Sequence, residues 1–163
     1  MSLYYFFASD TKLLEQRNPY IKLLSVNEAI AHGIEVHTEL FEDPFDYDKP
    51  EVILYVEDEE QFRYPNIYKE ASENFCDELG INKKYLTCLE WDYEDKNADV
   101  VLHYIASQLE NMDEIEFWKI WVGNYRNQKT PMYHSVYLKD MTKTTLQSFM
   151  ESENDYMCLI IKK

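Results

Sequence analysis

Residues 115–122 read Ile115-Glu116-Phe117-Trp118-Lys119-Ile120-Trp121-Val122, and this stretch decides the fold class. Successive side chains of a strand point to opposite faces. Here both faces are apolar apart from Glu116 and Lys119, so the segment reads as a strand covered on two sides, in the centre of a sheet. Working outward, aromatic and branched runs predict further strands at Tyr4–Ala8, Glu51–Val56, Tyr85–Trp91, Tyr133–Leu138 and Tyr156–Ile161. Ile34–Thr38 is a weaker seventh candidate.

Helical signals fall between these runs. Ser25 and Glu28 have capping-box spacing, and Gly33 follows the short segment Val26–His32. Pro65-Asn66 opens a second segment, in which Ile67, Ala71, Phe75 and Leu79 recur every four residues before Gly80. A third spans about Asn97 to Glu110, with Ala98, Val101, Leu102, Ile105 and Leu109 on one stripe. A fourth spans about Lys143 to Glu151, with Thr142 as cap. From Tyr85 onward the order is strand, helix, strand, strand, helix, strand, which is the ferredoxin-like βαββαβ order. In that order Ile115–Val122 and Tyr133–Leu138 form a hairpin.

The expected fold is α+β: a single domain over 1–163, with a mixed or antiparallel sheet of six to seven strands and about four helices. Residues 1–83 extend the sheet and 84–163 form the ferredoxin-like unit. The expected core includes Phe75, Leu102, Ile105, Phe117, Ile120, Leu146, Phe149 and Ile160.

Composition narrows the function classes. In 163 residues, 45% are hydrophobic and 15% aromatic, enough for a core. No apolar run approaches the roughly 20 residues of a membrane span. Tyr4–Ala8 lies in an apolar opening that is too short and lacks the basic flank of a signal peptide, so the expected location is the cytoplasm. Cys76, Cys88 and Cys158 are odd in number and none is in CxxC spacing, which argues against a disulfide framework or a four-cysteine zinc site. Acidic or apolar neighbours keep all three from being activated thiols.

The formal charge is −15, beyond the magnitude of about 2–8 usual for a small domain. From Glu39 to Glu60 there are ten acids and one base; from Lys119 to the end there are seven bases and four acids. Such a field repels nucleic acid and anionic lipid and attracts cations or basic proteins.

The acids concentrate in two loops flanking Glu51–Val56. One is Glu42-Asp43-Pro44-Phe45-Asp46-Tyr47-Asp48; the other is Glu57-Asp58-Glu59-Glu60, with Phe62 just beyond. Solubility is the plain reading of this cluster. Calcium is disfavoured, because an EF-hand loop requires glycine where Asp48 stands when counted from Asp43, and Pro44 and Pro50 intrude. The functional reading is a docking surface, with acids steering a basic protein and Phe45, Tyr47 and Phe62 as apolar anchors. A second acidic run, Trp91-Asp92-Tyr93-Glu94-Asp95, precedes a helix and suits its N-terminal end.

Catalytic patterns are missing from the sequence. His32, His37, His103 and His134 form no HExxH or HxH, and with three glycines there is no GxGxxG, GxxxxGK[ST] or GxSxG. Trp118, Trp121, Tyr125, Arg126, Tyr133 and Tyr137 make the C-terminal part aromatic and basic, but Ile115–Ile120 lacks the glycine and basic start of an RNA-stacking strand.

The expectation is therefore a non-enzymatic, acidic interaction protein with a basic protein partner, and no cofactor, metal, nucleic acid or membrane. By charge and size alone it resembles small inhibitors of the immunity or antitoxin type. The alternative is a small-molecule sensor or small enzyme with a Tyr/Trp-lined pocket.

Overall fold

The computed structural model describes residues 2–37, 39, 41, 44–50, 52–69, 80–122, 130–154 and 156–163. In chain order its strands and helices are β1 (Ser2–Ser9), β2 (Lys22–Leu24), α1 (Val26–Ala31), β3 (Ile53–Tyr55), β4 (Asn66–Lys69), β5 (Tyr85–Glu90), α2 (Asp95–Leu109), β6 (Glu114–Val122), β7 (Met132–Tyr137), α3 (Lys143–Glu151) and β8 (Tyr156–Lys162). 3₁₀ turns at Glu59–Arg63 and Leu138–Asp140 connect elements. The chain separates into two compact units. One comprises 1–17 with 63–163 and is called the sheet unit; the other is 18–62, called the acidic unit.

The sheet unit is a six-stranded mixed sheet in the order β4-β5-β1-β6-β8-β7. All neighbours are antiparallel except β7 and β8, which are parallel. The central position of β6 follows from its two apolar faces, and it pairs with β1 and β8. Phe7 and Phe117 face one side, stacked at 4.7 Å, where Val101, Tyr104 and Ile105 of α2 and Leu146 and Phe149 of α3 complete one core cluster. Phe6, Cys88, Trp118, Ile120 and Cys158 form a second cluster with Ile81. Strand alternation thus divides one sheet between two cores.

The hairpin expected between Ile115–Val122 and Tyr133–Leu138 does not form, because β8 lies between β6 and β7. The cause is burial. Met157, Cys158, Leu159 and Ile161 of β8 are buried, so β8 takes two neighbours, whereas β7 is exposed at every position but Val136 and takes the edge. The second half therefore keeps the βαββαβ order along the chain without the ferredoxin arrangement in space.

The helix expected from Pro65 is also corrected at its start. Residues 66–69 form β4, with Ile67 opposite Leu89; the remainder of that segment, with Phe75 and Cys76, lies outside the described residues. The described residues hold three α-helices. Residues 34–37 form no strand, and β2 pairs with β3 instead. Of the expected core, Ile105, Phe117, Ile120, Leu146 and Phe149 are buried, while Leu102 and Ile160 are half-buried at its margin. No helix among the described residues is long and apolar enough to cross a membrane.

The caps agree with the sequence. The Ser25 hydroxyl accepts from the Glu28 amide at 3.2 Å, and Glu28 Oε2 accepts from the Ser25 amide at 2.7 Å, satisfying two end donors of α1. Gly33 then takes φ 76, a left-handed value that favours glycine. Thr142 accepts from the Thr145 amide at 3.2 Å to start α3.

Candidate interaction surface

The acidic unit contains twelve acids and two bases, Lys22 and Lys49, a net of −10 out of −15. It is built from short elements closed by polar contacts. Asn18 is buried, and its side-chain amide donates to the Gln61 carbonyl at 2.7 Å, linking the two ends of the unit. The Gln61 side-chain oxygen accepts from the amides of Glu57 and Asp58 at 3.1 and 3.3 Å.

Several of the expected docking acids have local structural work. Asp46 accepts from the Asp48 amide at 3.0 Å, and Asp48 accepts from the Asn27 side chain at 2.7 Å. Asp58 accepts from the Glu60 amide at 3.0 Å and so caps the 3₁₀ turn. Glu57 accepts from Lys22 at 2.7 Å. That hydrogen bond holds the Glu57 carboxyl below its ordinary pKa and raises the Lys22 ammonium. Glu59 and Glu60 lie in the first turn of the 3₁₀ segment. Glu42 and Asp43 lie outside the described residues.

The aromatic anchors divide. Phe45 stacks on Phe41 at 4.3 Å and meets Tyr47 edge-on at 5.5 Å, and both Phe45 and Tyr47 are half-buried. Phe62 is 46% exposed. Sequence reading missed a second apolar feature. Leu23 and Leu54 are directly opposite in the β2–β3 ladder, and each is 50% exposed. Their neighbours in the ladder, Leu24 and Ile53, alternate to the more buried face. The signal was present in Lys22-Leu23-Leu24 and Ile53-Leu54-Tyr55, but only the pairing shows which leucines share the outer face.

The sheet unit has its own polar cluster. Lys83 reaches Asp10 and Glu114 at 3.0 Å each and Glu116 at 3.7 Å. These carboxylates outweigh burial and raise the lysine pKa. Burial drives the Glu116 carboxyl up, and the Trp118 indole N–H, donating at 2.8 Å, pulls it partly back. Beside this cluster is a cleft of about 450 Å³, whose lining includes Asp10, Lys83, Glu110, Asp113, Glu114 and Lys163. It has no Tyr or Trp in its lining, and Trp118 and Tyr104 are packed into the cores, so this cleft is not an aromatic ligand pocket.

Other candidate chemistry is also placed. Cys88 and Cys158 are buried, and burial pushes the Cys158 thiol up, away from nucleophilic activation. His32 stacks on Tyr55 at 6.1 Å, His37 meets Glu39 at 3.2 Å, and His103 and His134 are exposed. Among the described residues no group of three or more His, Cys, Asp or Glu could hold a metal ion. Ahead of α2, Asp92 and Glu94 pair with Arg63 at 3.7 and 3.3 Å, and Lys96 joins Glu94 at 3.0 Å. The Lys96 and Arg63 hydrogen bonds hold Glu94 below its ordinary pKa. Tyr125 and Arg126 of the aromatic and basic segment lie outside the described residues.

No protein-family model, no curated protein and no solved structure matches this chain.

Proposed function

We propose that the chain is a non-enzymatic interaction protein of the cytoplasm whose acidic unit binds a basic protein, in the manner of a small acidic inhibitor. One observation carries the reading: exposed Leu23 and Leu54 lie opposite one another on a unit of net −10. Acids alone serve solubility, but interfaces draw affinity from apolar anchors and use surrounding charge for steering. Phe62 and Tyr20, 46% and 45% exposed, add apolar surface to the same unit. The partner fitting this chemistry has lysines or arginines around a small apolar patch.

The test uses affinity capture from the native host's lysate at low and high salt, followed by titration of the captured protein. Three baits are compared: wild type; a charge variant with Asn for Asp43, Asp46, Asp48 and Asp58 and Gln for Glu42, Glu57, Glu59 and Glu60; and Leu23→Ser with Leu54→Ser. A basic protein should bind wild type. Its association should slow with salt and in the charge variant, and the leucine variant should lose about tenfold or more in affinity at either salt. If all three baits retain the same proteins at both salt concentrations, the acidic unit is a solvated surface and the proposal fails.

A further inference from the structure

The two edges of the six-stranded sheet are treated differently by the chain. A sheet edge presents unpaired backbone N–H and C=O groups, and folded proteins normally cover or charge it. At β4 the edge is closed: the Gln16 amide donates to the Ile67 carbonyl and the Ile67 amide to the Gln16 carbonyl, both at 2.9 Å. Glu15 also accepts from the Lys69 amide at 2.6 Å, and Arg17 lies over the Tyr68 ring.

At β7 no such backbone closure is found among the described residues; Lys139, past the end of the strand, places its ammonium 5.8 Å from the Tyr137 ring centroid. Its one strand neighbour is β8. Met132-Tyr133-His134-Ser135-Val136-Tyr137 contains no acid, no Lys or Arg, no proline and no glycine. Tyr133 and Tyr137 are 53% and 56% exposed. The usual devices against edge pairing are therefore missing from this strand.

We propose that two copies of the chain associate through β7, by an antiparallel β7–β7 pair centred on Ser135. β7 belongs to the sheet unit and the proposed basic-partner surface to the acidic unit, so the inference stands whether or not a basic partner exists. Side-chain placement selects the register. Tyr133 contacts Trp118, in the second core cluster, while Val136 packs against the first. By alternation Tyr133, Ser135 and Tyr137 share one face of the sheet. A two-fold axis normal to the sheet keeps each face continuous across the new pair. With the axis at Ser135, Tyr133 of each copy lies opposite Tyr137 of the other, Ser135 opposite Ser135, and His134 opposite Val136. Two cross-strand tyrosine pairs then flank the axis, an arrangement that favours antiparallel pairing.

The paired strands carry no formal charge of their own. Of the net −15, −10 belongs to residues 18–62 and none to β7. A six-residue strand is about 20 Å long, so pairing along it makes an interface below the standard size, and association should be reversible and concentration-dependent.

Sedimentation velocity over about a hundredfold range of concentration tests the proposal. Wild type should shift from monomer toward dimer. Ser135→Lys, which places like charges face to face at the axis, should remain monomeric with an unchanged thermal midpoint, because Ser135 is exposed. Ser135→Cys should form an intermolecular disulfide on mild oxidation, since directly opposed strand residues have suitable Cα separation. His134→Cys, displaced from its mate in this register, should form far less. A wild type that stays monomeric throughout, a Ser135→Lys variant that still dimerises, or equal cross-linking at both cysteine positions would each overturn it.

Discussion

The two units hold themselves together by different means. In the sheet unit the central strands are buried on both faces, and large side chains such as Phe6, Phe7, Phe117 and Trp118 have almost no exposed surface. Among the described residues of the acidic unit the buried apolar side chains are few and small: Leu24, Val26, Ala29 and Val56. Order there comes from the Ser25–Glu28 capping box, the Asn18–Gln61 closure and the Asp46, Asp48 and Asp58 turn contacts. One unit should respond to changes of volume, the other to loss of caps and to protonation of carboxylates.

The largest expected effect is in the sheet unit. Phe117 is fully buried between Phe7 and Phe149, with ring centroids at 4.7 and 4.9 Å. Phe117→Ala should destabilise by about 3–5 kcal/mol, read by denaturant unfolding. An unchanged midpoint would remove the contrast between the units, since a core-driven unit cannot lose its central ring without cost.

Lys119 is an informative exception within that core. It is 3% exposed, and its ammonium donates to the Met150 and Ser152 carbonyls at 2.8 and 2.6 Å, at the end of α3. The C-terminal carbonyls of a helix lack internal donors and favour a cation. Lys119→Met fills the same space but leaves those carbonyls without this donor. A loss of about 1–3 kcal/mol is expected, with amide exchange accelerated first around α3. An unchanged stability would mean that packing alone positions that helix.

In the acidic unit, Ser25→Ala should cost about 1 kcal/mol, with faster amide exchange at 26–31 and unchanged protection in β6. Loss of protection in both places would show that the units unfold together.

Acid titration sharpens the comparison. The Ser25 backbone N–H and hydroxyl hold the Glu28 carboxyl below its ordinary 4.5. Its folded pKa is thus depressed, so its contribution is complete above about 4.5 and is lost as pH falls through the lower folded value. Glu116 runs the other way. Burial raises its folded pKa above 4.5, so the folded state is penalised once pH rises past 4.5, and fully so above the raised value. Stability of Glu116→Gln should consequently change less than wild type as pH is raised from about 4.5 to 7. A pH profile identical to wild type would show that Glu116 ionises without cost. The smallest effect belongs to exposed Glu59, where Glu59→Gln should alter stability by less than about 0.5 kcal/mol.

Features that depend on near neighbours could be read along the chain. The Ser25 and Thr142 caps, Gly33, the α2 stripe and the apolar runs of β1, β5, β6 and β8 were legible, because caps are read over a few residues and burial from alternation or helical spacing. The clustering of acids was legible too, though not that so many of them fasten their own turns. The sheet order, by contrast, follows from contacts between distant segments. Whether β7 or β8 lies next to β6 depends on which strand is buried on both faces, a choice made among segments far apart in the chain. The same holds for β4, whose Ile67 pairs with Leu89 against a helical spacing, for Lys119, whose carbonyl partners lie 31 and 33 residues away, and for Leu23 and Leu54, brought face to face by a two-strand ladder. Local patterns tell which side chains seek burial; the pairing of distant strands decides what they meet.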